Sequence, residues 1–218
     1  MRRAFLKSAL AFVAALTANR AWSQSASVSA DATSAASSSS AAPVRKPATV
    51  KVALKTGLGA IVLELEKERA PITTKNFLAY VDKKLFDNTT FYRAMPAGND
   101  EGLIQGGNDT GALPPIPHEP TGKTGLSHTD GAVSMARLKP GSARGGFFIC
   151  IGDLTAFDEG KDGTPDKLGF AAFGHVVEGM DVVKAIFHSP VSQTKGAGAM
   201  KGQMLSPPIK IISARRIS

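Results

Sequence analysis

Thr90-Phe91-Tyr92-Arg93-Ala94-Met95 and, after a turn containing glycine and acid residues, Leu103-Ile104-Gln105-Gly106-Gly107-Asn108 decide how this chain is read. Each is a short apolar segment that carries one strong hydrogen-bonding side chain, Arg93 on the first and Gln105 on the second. Paired as neighbouring strands, they stand a guanidinium and a carboxamide side by side over apolar surface. Gly146-Phe147-Phe148-Ile149-Cys150 offers an aromatic to complete such a pocket. A site with no acid, no nucleophile and no metal ligands suits chemistry that needs only positioning and polarisation.

Working outward, the segments on either side read as a β-rich domain. Thr49-Val50-Lys51-Val52-Ala53-Leu54-Lys55 and Gly59-Ala60-Ile61-Val62-Leu63-Glu64-Leu65-Glu66 alternate with period 2 around a turn at Thr56-Gly57, the pattern of a β-hairpin. Ala70-Pro71-Ile72-Thr73-Thr74 opens a helix with Phe77, Leu78, Val81 and Leu85 at helical spacing, and Pro71 sits in the first turn, where proline is tolerated. Further strands are predicted at Gly131-Ala132-Val133-Ser134-Met135-Ala136, at Phe147 to Ile151, at Phe170 to Val177 and at Ile209-Lys210-Ile211-Ile212-Ser213. Met180 to Phe187 reads as a second short helix. About eight strands and two helices with mostly non-helical connections favour a mainly β fold, a closed eight-stranded antiparallel barrel capped by two helices, over an alternating parallel α/β fold.

The loops are read as inert. Residues 108–130 are rich in Gly, Pro, Thr and His, and His118 and His128 have no partners at metal-ligand spacing, so both are expected to face solvent and no metal site is expected. Residues 153–168 carry Asp158, Glu159, Asp162 and Asp166 without the alternate-position oxygens of a calcium loop, and read as a solvated acidic turn. The glycines at 196, 198 and 202 lack the strand-turn-helix setting of a dinucleotide site. Cys150, the single cysteine, lies in an apolar run and reads as a small buried hydrophobe; the core must stabilise the domain without a disulfide.

Three regions are expected along the 218 residues. Residues 1–23 have the layout of an export signal: Arg2, Arg3 and Lys7, then an apolar run of about ten residues, too short for the roughly 20 of a membrane-spanning helix. Arg2-Arg3-Ala4-Phe5-Leu6-Lys7 resembles the twin-arginine export motif of bacteria, which implies a periplasmic protein with the signal removed and no permanent membrane anchor. Residues 24–47 are dominated by Ser and Ala, with Asp31 the single acid, and read as a disordered linker; residues 48–218 are the folded domain. Of the net charge of +8, Arg2, Arg3, Lys7 and Arg20 supply four, leaving +4 scattered through the rest, a matter of solubility and not a nucleic-acid surface. Nothing in the sequence calls for more than a monomer.

Taken in order, Ala70-Pro71 with Asn76-Phe77, Phe91-Tyr92-Arg93, Gln105-Gly106-Gly107, Ser134-Met135-Ala136, Phe147-Phe148-Ile149 and Phe173-Gly174-His175-Val176-Val177-Glu178-Gly179-Met180 resemble the cyclophilin family of peptidyl-prolyl cis-trans isomerases, over roughly Val50 to Ser213. The layout is similar to that of the bacterial exported members. The resemblance implies an eight-stranded barrel, catalysis of rotation about X–Pro bonds in proline-containing polypeptides, including exported client proteins, and no cofactor. It makes Arg93 the catalytic arginine, Gln105 its active-site neighbour and Phe148 a phenylalanine of the proline pocket. Leu103 takes the place of the usual methionine, Ala136 and Arg137 fall at substrate-backbone positions, and Phe157 and Phe170 fall at pocket positions. The chain departs from the family pattern at Gly102, where a pocket phenylalanine is expected, at Gly146, where a glutamine is common, and at Ala156, where an aromatic is usual. Because these positions are trimmed, two other uses stay open beside catalysis: holding proline segments without turnover, and a chaperone role through the long loops.

Overall fold

The computed structural model describes residues 45–218. The expected export signal and all but the last three residues of the expected linker lie outside the described residues. Nine strands form one sheet: β1 (Thr49–Thr56), β2 (Gly59–Glu66), β3 (Thr89–Gly98), β4 (Glu101–Asn108), β5 (Ala132–Met135), β6 (Gly145–Ile151), β7 (Ala171–Glu178), β8 (Val191–Ser192) and β9 (Met204–Ile217). Their order is β1-β2-β7-β5-β6-β4-β3-β9, and β9 pairs back onto β1, so eight strands close an antiparallel barrel, with the two-residue β8 appended to β9. Closure leaves no long unpaired edge.

The interior follows from alternation along the strands. Val52, Leu54, Ile61, Leu63, Phe91, Ile104, Phe147, Ile149 and Phe173 all pack into the central core. The intervening residues of β4 and β6, Leu103, Phe148 and Cys150, belong to a separate cluster on the outer face with Ala132 and Leu154. Phe147 and Phe148 therefore serve opposite sides of one strand. Cys150 is fully buried there, and burial raises its thiol pKa well above the ordinary value, which makes it an inert apolar residue.

Helices α1 (Pro71–Asp82) and α3 (Met180–Phe187) fall where the sequence places them, and a single-turn helix α2 (Thr121–Thr124) interrupts what reads as a continuous loop. α1 ends at Asp82, so Leu85, read as its last apolar residue, lies beyond it. Its first turn, which has no acidic residue of its own, is held from outside: Glu119 accepts hydrogen bonds from the Thr73 amide (2.6 Å) and hydroxyl (2.7 Å). A carboxylate there satisfies orphan N–H groups and complements the positive end of the helix dipole. Asn76 is buried and donates to the Arg144 carbonyl at 2.5 Å, which ties α1 to the start of β6.

The element that positions the site is an irregularity in β3. Phe91 pairs with Gly106, yet Arg93 pairs with Gln105, so Tyr92 is an extra residue opposed by nothing. In a regular strand, residues two apart share a face. The bulge breaks that rule: Phe91 remains in the core while Arg93 turns to the outer face beside Gln105. From there one row crosses the sheet, Arg93 opposite Gln105, Gln105 opposite Phe148, and Phe148 opposite Ser134. A parallel row runs from Met95 to Leu103 to Cys150.

Candidate active site

A cavity of about 730 Å³ opens over these two rows. Arg93, Gln105, Phe148, Leu103, Ala136, Arg137, Phe157 and Phe170, the residues to which the resemblance gives site roles, line it together, whereas Gly102, Gly146 and Ala156 do not. The apolar wall is a trio of phenylalanines in edge-to-face contact, with ring centroids 6.0 Å apart for Phe148 and Phe157, 5.2 Å for Phe148 and Phe170, and 5.3 Å for Phe157 and Phe170. Leu103 and Met95 form the adjoining floor.

On the polar side, the Arg93 guanidinium is gripped twice. Its Nη1 donates to Gln105 Oε1 at 2.9 Å and its Nε donates to Gln203 Oε1 at 2.8 Å. The Gln105 carboxamide is held in turn, because its Nε2 donates to the Tyr92 hydroxyl at 2.9 Å, which donates to Asp109 Oδ2 at 2.7 Å. Arginine carries five N–H donors. With Nε–H and one Nη1–H occupied, both Nη2 hydrogens remain for a ligand in the cavity. Half-burial lowers the Arg93 pKa somewhat, but a guanidinium starts so high that the charge persists, in surroundings where it acts more strongly than in water. Burial and then the Asp109 carboxylate raise the Tyr92 pKa far above the ordinary phenol value, so its hydroxyl stays a donor.

Arg137 lines the cavity without offering its charge to it. Its Nη1 and Nη2 donate to the two Asp166 oxygens at 2.8 and 2.9 Å, its Nε donates to the Gly169 carbonyl, and its Cζ lies 5.3 Å from the Phe170 ring centre. The Arg137 hydrogen bonds hold the Asp166 pKa well below the usual carboxylate range. What position 137 presents to a ligand is backbone and the aliphatic stem.

Two loop expectations are overturned. His128 is completely buried, not solvent-facing: its ring stacks on Phe148 at 5.9 Å and 16°, on the side away from the cavity. Its Nδ1 donates to Asp158 Oδ1 at 2.6 Å, and its Nε2 accepts from the Ser134 hydroxyl at 2.9 Å. Burial lowers the His128 pKa, and Asp158 offsets that only in part, so the ring is neutral in this tautomer. The acidic turn is correspondingly not a free solvated loop, since Asp158 bonds to His128 and Asp166 to Arg137, on the segments flanking β5. His118 is half-buried, with Nε2 3.0 Å from the Leu168 carbonyl.

Two of the three departures find physical reasons. A side chain at Gly146 would place its Cβ 2.1 Å from Asp109 Oδ1, so the Asp109 carboxylate occupies the space a glutamine would need. At Gly102 a Cβ would lie 2.1 Å from the Met95 carbonyl oxygen and 2.7 Å from the Phe187 ring, while Met95 supplies the cavity wall nearby. The wall is rebuilt, not removed. The residues missed from sequence are Gln203, Tyr92 as an anchor, Asp109 and Met95. Tyr92 and Met95 lie within the quoted strand, but Gln203 follows a glycine-rich stretch 110 residues from Arg93 and carries no local signal of its partner.

With this geometry described, the likeness to known proteins is specific. Residues 50–216 match the family described as cyclophilin type peptidyl-prolyl cis-trans isomerase/CLD. The chain is 36% identical over 175 residues to a peptidyl-prolyl cis-trans isomerase of Acinetobacter baylyi, covering 77% of this chain and 86% of the relative. It is 40% identical over 152 residues to one of Streptomyces antibioticus, covering 66% of this chain and 87% of the relative. A crystal structure of a Cryptosporidium parvum cyclophilin type peptidyl-prolyl cis-trans isomerase, in the presence of the dipeptide Ala-Pro, superposes with a TM-score of 0.62 at 22% identity, covering 77% of this chain and 99% of that one. The chain belongs to the cyclophilin-type peptidyl-prolyl cis-trans isomerases.

Proposed function

We propose that the Arg93 cavity catalyses cis-trans isomerisation of X–Pro bonds by holding the proline ring on the phenylalanine trio and directing Arg93 at the amide. The observation that carries this is the double grip on the guanidinium beside Phe148. An X–Pro amide resists rotation by about 18–20 kcal/mol because resonance holds it planar. As it twists, the proline nitrogen becomes pyramidal and gains a lone pair, so a donor aimed at that nitrogen binds the twisted amide better than either planar one. Arg93 Nη2 is that donor. Gln105 and Gln203 fix the fork so that no reorganisation is needed as the lone pair develops. Phe148, Phe157, Phe170 and Leu103 exclude water from the ring and the amide, which also disfavours the charge-separated planar form. Four decades of acceleration need about 5.5 kcal/mol of preferential binding, within reach of a charged hydrogen bond together with desolvation.

Ala136 and the backbone at Arg137 supply the edge along which a client segment lies. The clients are proline-containing stretches of exported polypeptides, and the protein works as a monomer in the periplasm after removal of residues 1–23. The basic start and short apolar run of the sequence support that location. A mass measurement on the chain recovered from a periplasmic extract checks it: a mass matching residues 24–218 is expected, and an uncleaved chain retained in the cytoplasm refutes it.

The site assignment is tested by proton-exchange NMR of a short X–Pro peptide with the purified protein. Wild type accelerates exchange, and Arg93→Ala reduces kcat/KM by about 100-fold or more while circular dichroism is unchanged. Wild-type exchange in that variant would overturn the role of Arg93.

A further inference from the structure

Beside the main cavity lies a smaller one of about 240 Å³, on the far side of Leu138. Leu138 and Phe170 wall both, and Lys139, Thr164, Pro165 and Asp166 line the smaller one alone. Leu138 is 93% exposed, the most exposed large apolar side chain among the described residues, and it stands on the ridge between the two. We propose that this smaller cavity is a second subsite, which takes an aliphatic or aromatic side chain of the same client segment whose proline occupies the main cavity. The proposal deepens the isomerase reading and rests on it.

Three observations select this occupant. First, the two cavities share walls, so whatever fills the second is continuous with what fills the first. In an extended segment, side chains two residues apart emerge on the same side, roughly 6.7 Å from one another, and can straddle a ridge one side chain thick. Second, the floor is electrically spent: the Asp166 carboxylate is bound by both terminal nitrogens of Arg137 and also accepts from the Thr164 hydroxyl at 2.9 Å and the Leu168 amide at 3.0 Å. A basic guest finds no free carboxylate at that floor, whereas an apolar one packs on Pro165, the Phe170 ring and Leu138. Third, the cavity is too small for a whole ligand of drug size and suits one side chain. Covering Leu138 removes from water a leucine that the free protein leaves almost fully exposed, so the gain is hydrophobic.

One wall of this subsite comes from residues 137–139 and the other from the loop between Phe157 and Phe170, which spans the acidic stretch that reads as solvated from sequence. The loop is fixed by Arg137 through Asp166 and by the Gly169 amide, which donates to the Thr164 hydroxyl at 3.0 Å. Arg137 thus acts as the tie that lets a loop of polar sequence present an apolar pocket. It follows that clients with a leucine, isoleucine or phenylalanine near the proline are preferred over those with glycine or a basic residue there.

The test is a peptide scan with the whole protein. The parent peptide has a central Ala-Pro pair flanked by glycines, and leucine replaces glycine in turn at each of three positions on either side. Affinity is read from NMR titration and turnover from proton exchange. At one position leucine tightens binding about tenfold and shifts the amide signals of Thr164 and Asp166. Pro165→Glu, which alters only the smaller cavity, turns over the parent peptide as wild type does and cuts that advantage below twofold. No favoured position, or an advantage that survives Pro165→Glu, overturns the subsite. Absent turnover of the parent overturns the isomerase reading instead, and a leucine advantage erased by Pro165→Glu would then still support the subsite.

Discussion

At the scale of single residues, the site depends on which hydrogens of Arg93 are already committed. Gln105 and Gln203 each remove one N–H from the list and leave both Nη2 hydrogens and one on Nη1. Gln105 is itself anchored through Tyr92 to Asp109, whereas Gln203 is carried on a turn whose main chain is pinned to β3, the Ala94 amide donating to the Gln203 carbonyl at 2.9 Å. If Gln203 only filled space, an isosteric apolar replacement would be harmless. Gln203→Met keeps the length of the side chain and removes the acceptor, and it is expected to lower kcat about tenfold, the worth of a hydrogen bond to a charged group, with KM nearly unchanged. Gln203→Glu restores an acceptor and is expected to recover kcat to within about threefold of wild type. Steady-state kinetics on one X–Pro peptide separates the cases: an effect on KM alone would show that Gln203 binds substrate and does not position Arg93. Arg93, Gln105 and Phe148 were legible in the sequence because each sits in a strand-like motif. Gln203 was not, because the partner that gives it meaning is supplied by the tertiary structure.

At the scale of elements, the bulge at Tyr92 places Arg93, and Gly106 makes room for the bulge. A Cβ at Gly106 would lie 2.6 Å from the Thr90 carbonyl oxygen and 2.8 Å from the Phe91 ring. Neither obstacle is the flexible end of a long side chain, so β3 itself must shift. Gly106→Ala is expected to cost about 1–3 kcal/mol in urea unfolding, as overpacking does, and to lower kcat/KM by more than tenfold, because the displaced strand carries Arg93 away from Gln105. A variant that loses stability and keeps full activity would show that the pairing of Arg93 with Gln105 tolerates movement. The same element explains what sequence periodicity could and could not convey. Strict alternation puts Phe91 and Arg93 on one face, and the sequence reading pairs Arg93 with Gln105 only by giving β3 and β4 side-by-side placement. The inserted residue that reconciles the two is seen only in the register. Helices α1 and α3 were readable because their apolar spacing is local. α2 was not, because four residues carry too little pattern.

At the scale of the whole molecule, the barrel has two apolar bodies, the interior core and the outer cluster beneath the cavity, and they are braced differently. The interior is held by strands packed against α1 and α3, with Phe77, Phe86, Phe91, Phe147 and Phe173 linked in a chain of ring contacts. The outer cluster has one side open to the cavity, and its other side rests on the neutral ring of His128 between Asp158 and Ser134. The sequence could show none of this, because a histidine in a Gly- and Thr-rich loop carries no sign of the strand under which it is placed. The arrangement makes stability depend on pH in a definite direction. Burial sets the His128 pKa below its unfolded value of about 6.5, so below that pH the unfolded chain takes up a proton that the folded chain resists. The contribution is fully present above about pH 6.5 and declines as the pH falls toward the folded value. Asp87 and Asp166, whose pKa values are lowered by Arg215 and Arg137, add their own losses only at more acid pH, where unfolded carboxylates titrate near 4. Urea midpoints measured between pH 7 and 5 are therefore expected to fall for wild type. His128→Gln, which keeps a neutral donor and cannot titrate, is expected to start from a lower midpoint and hold it across that window. An equal slope in the variant would assign the decline to other groups and remove His128 as the pH-sensitive brace of the active-site wall.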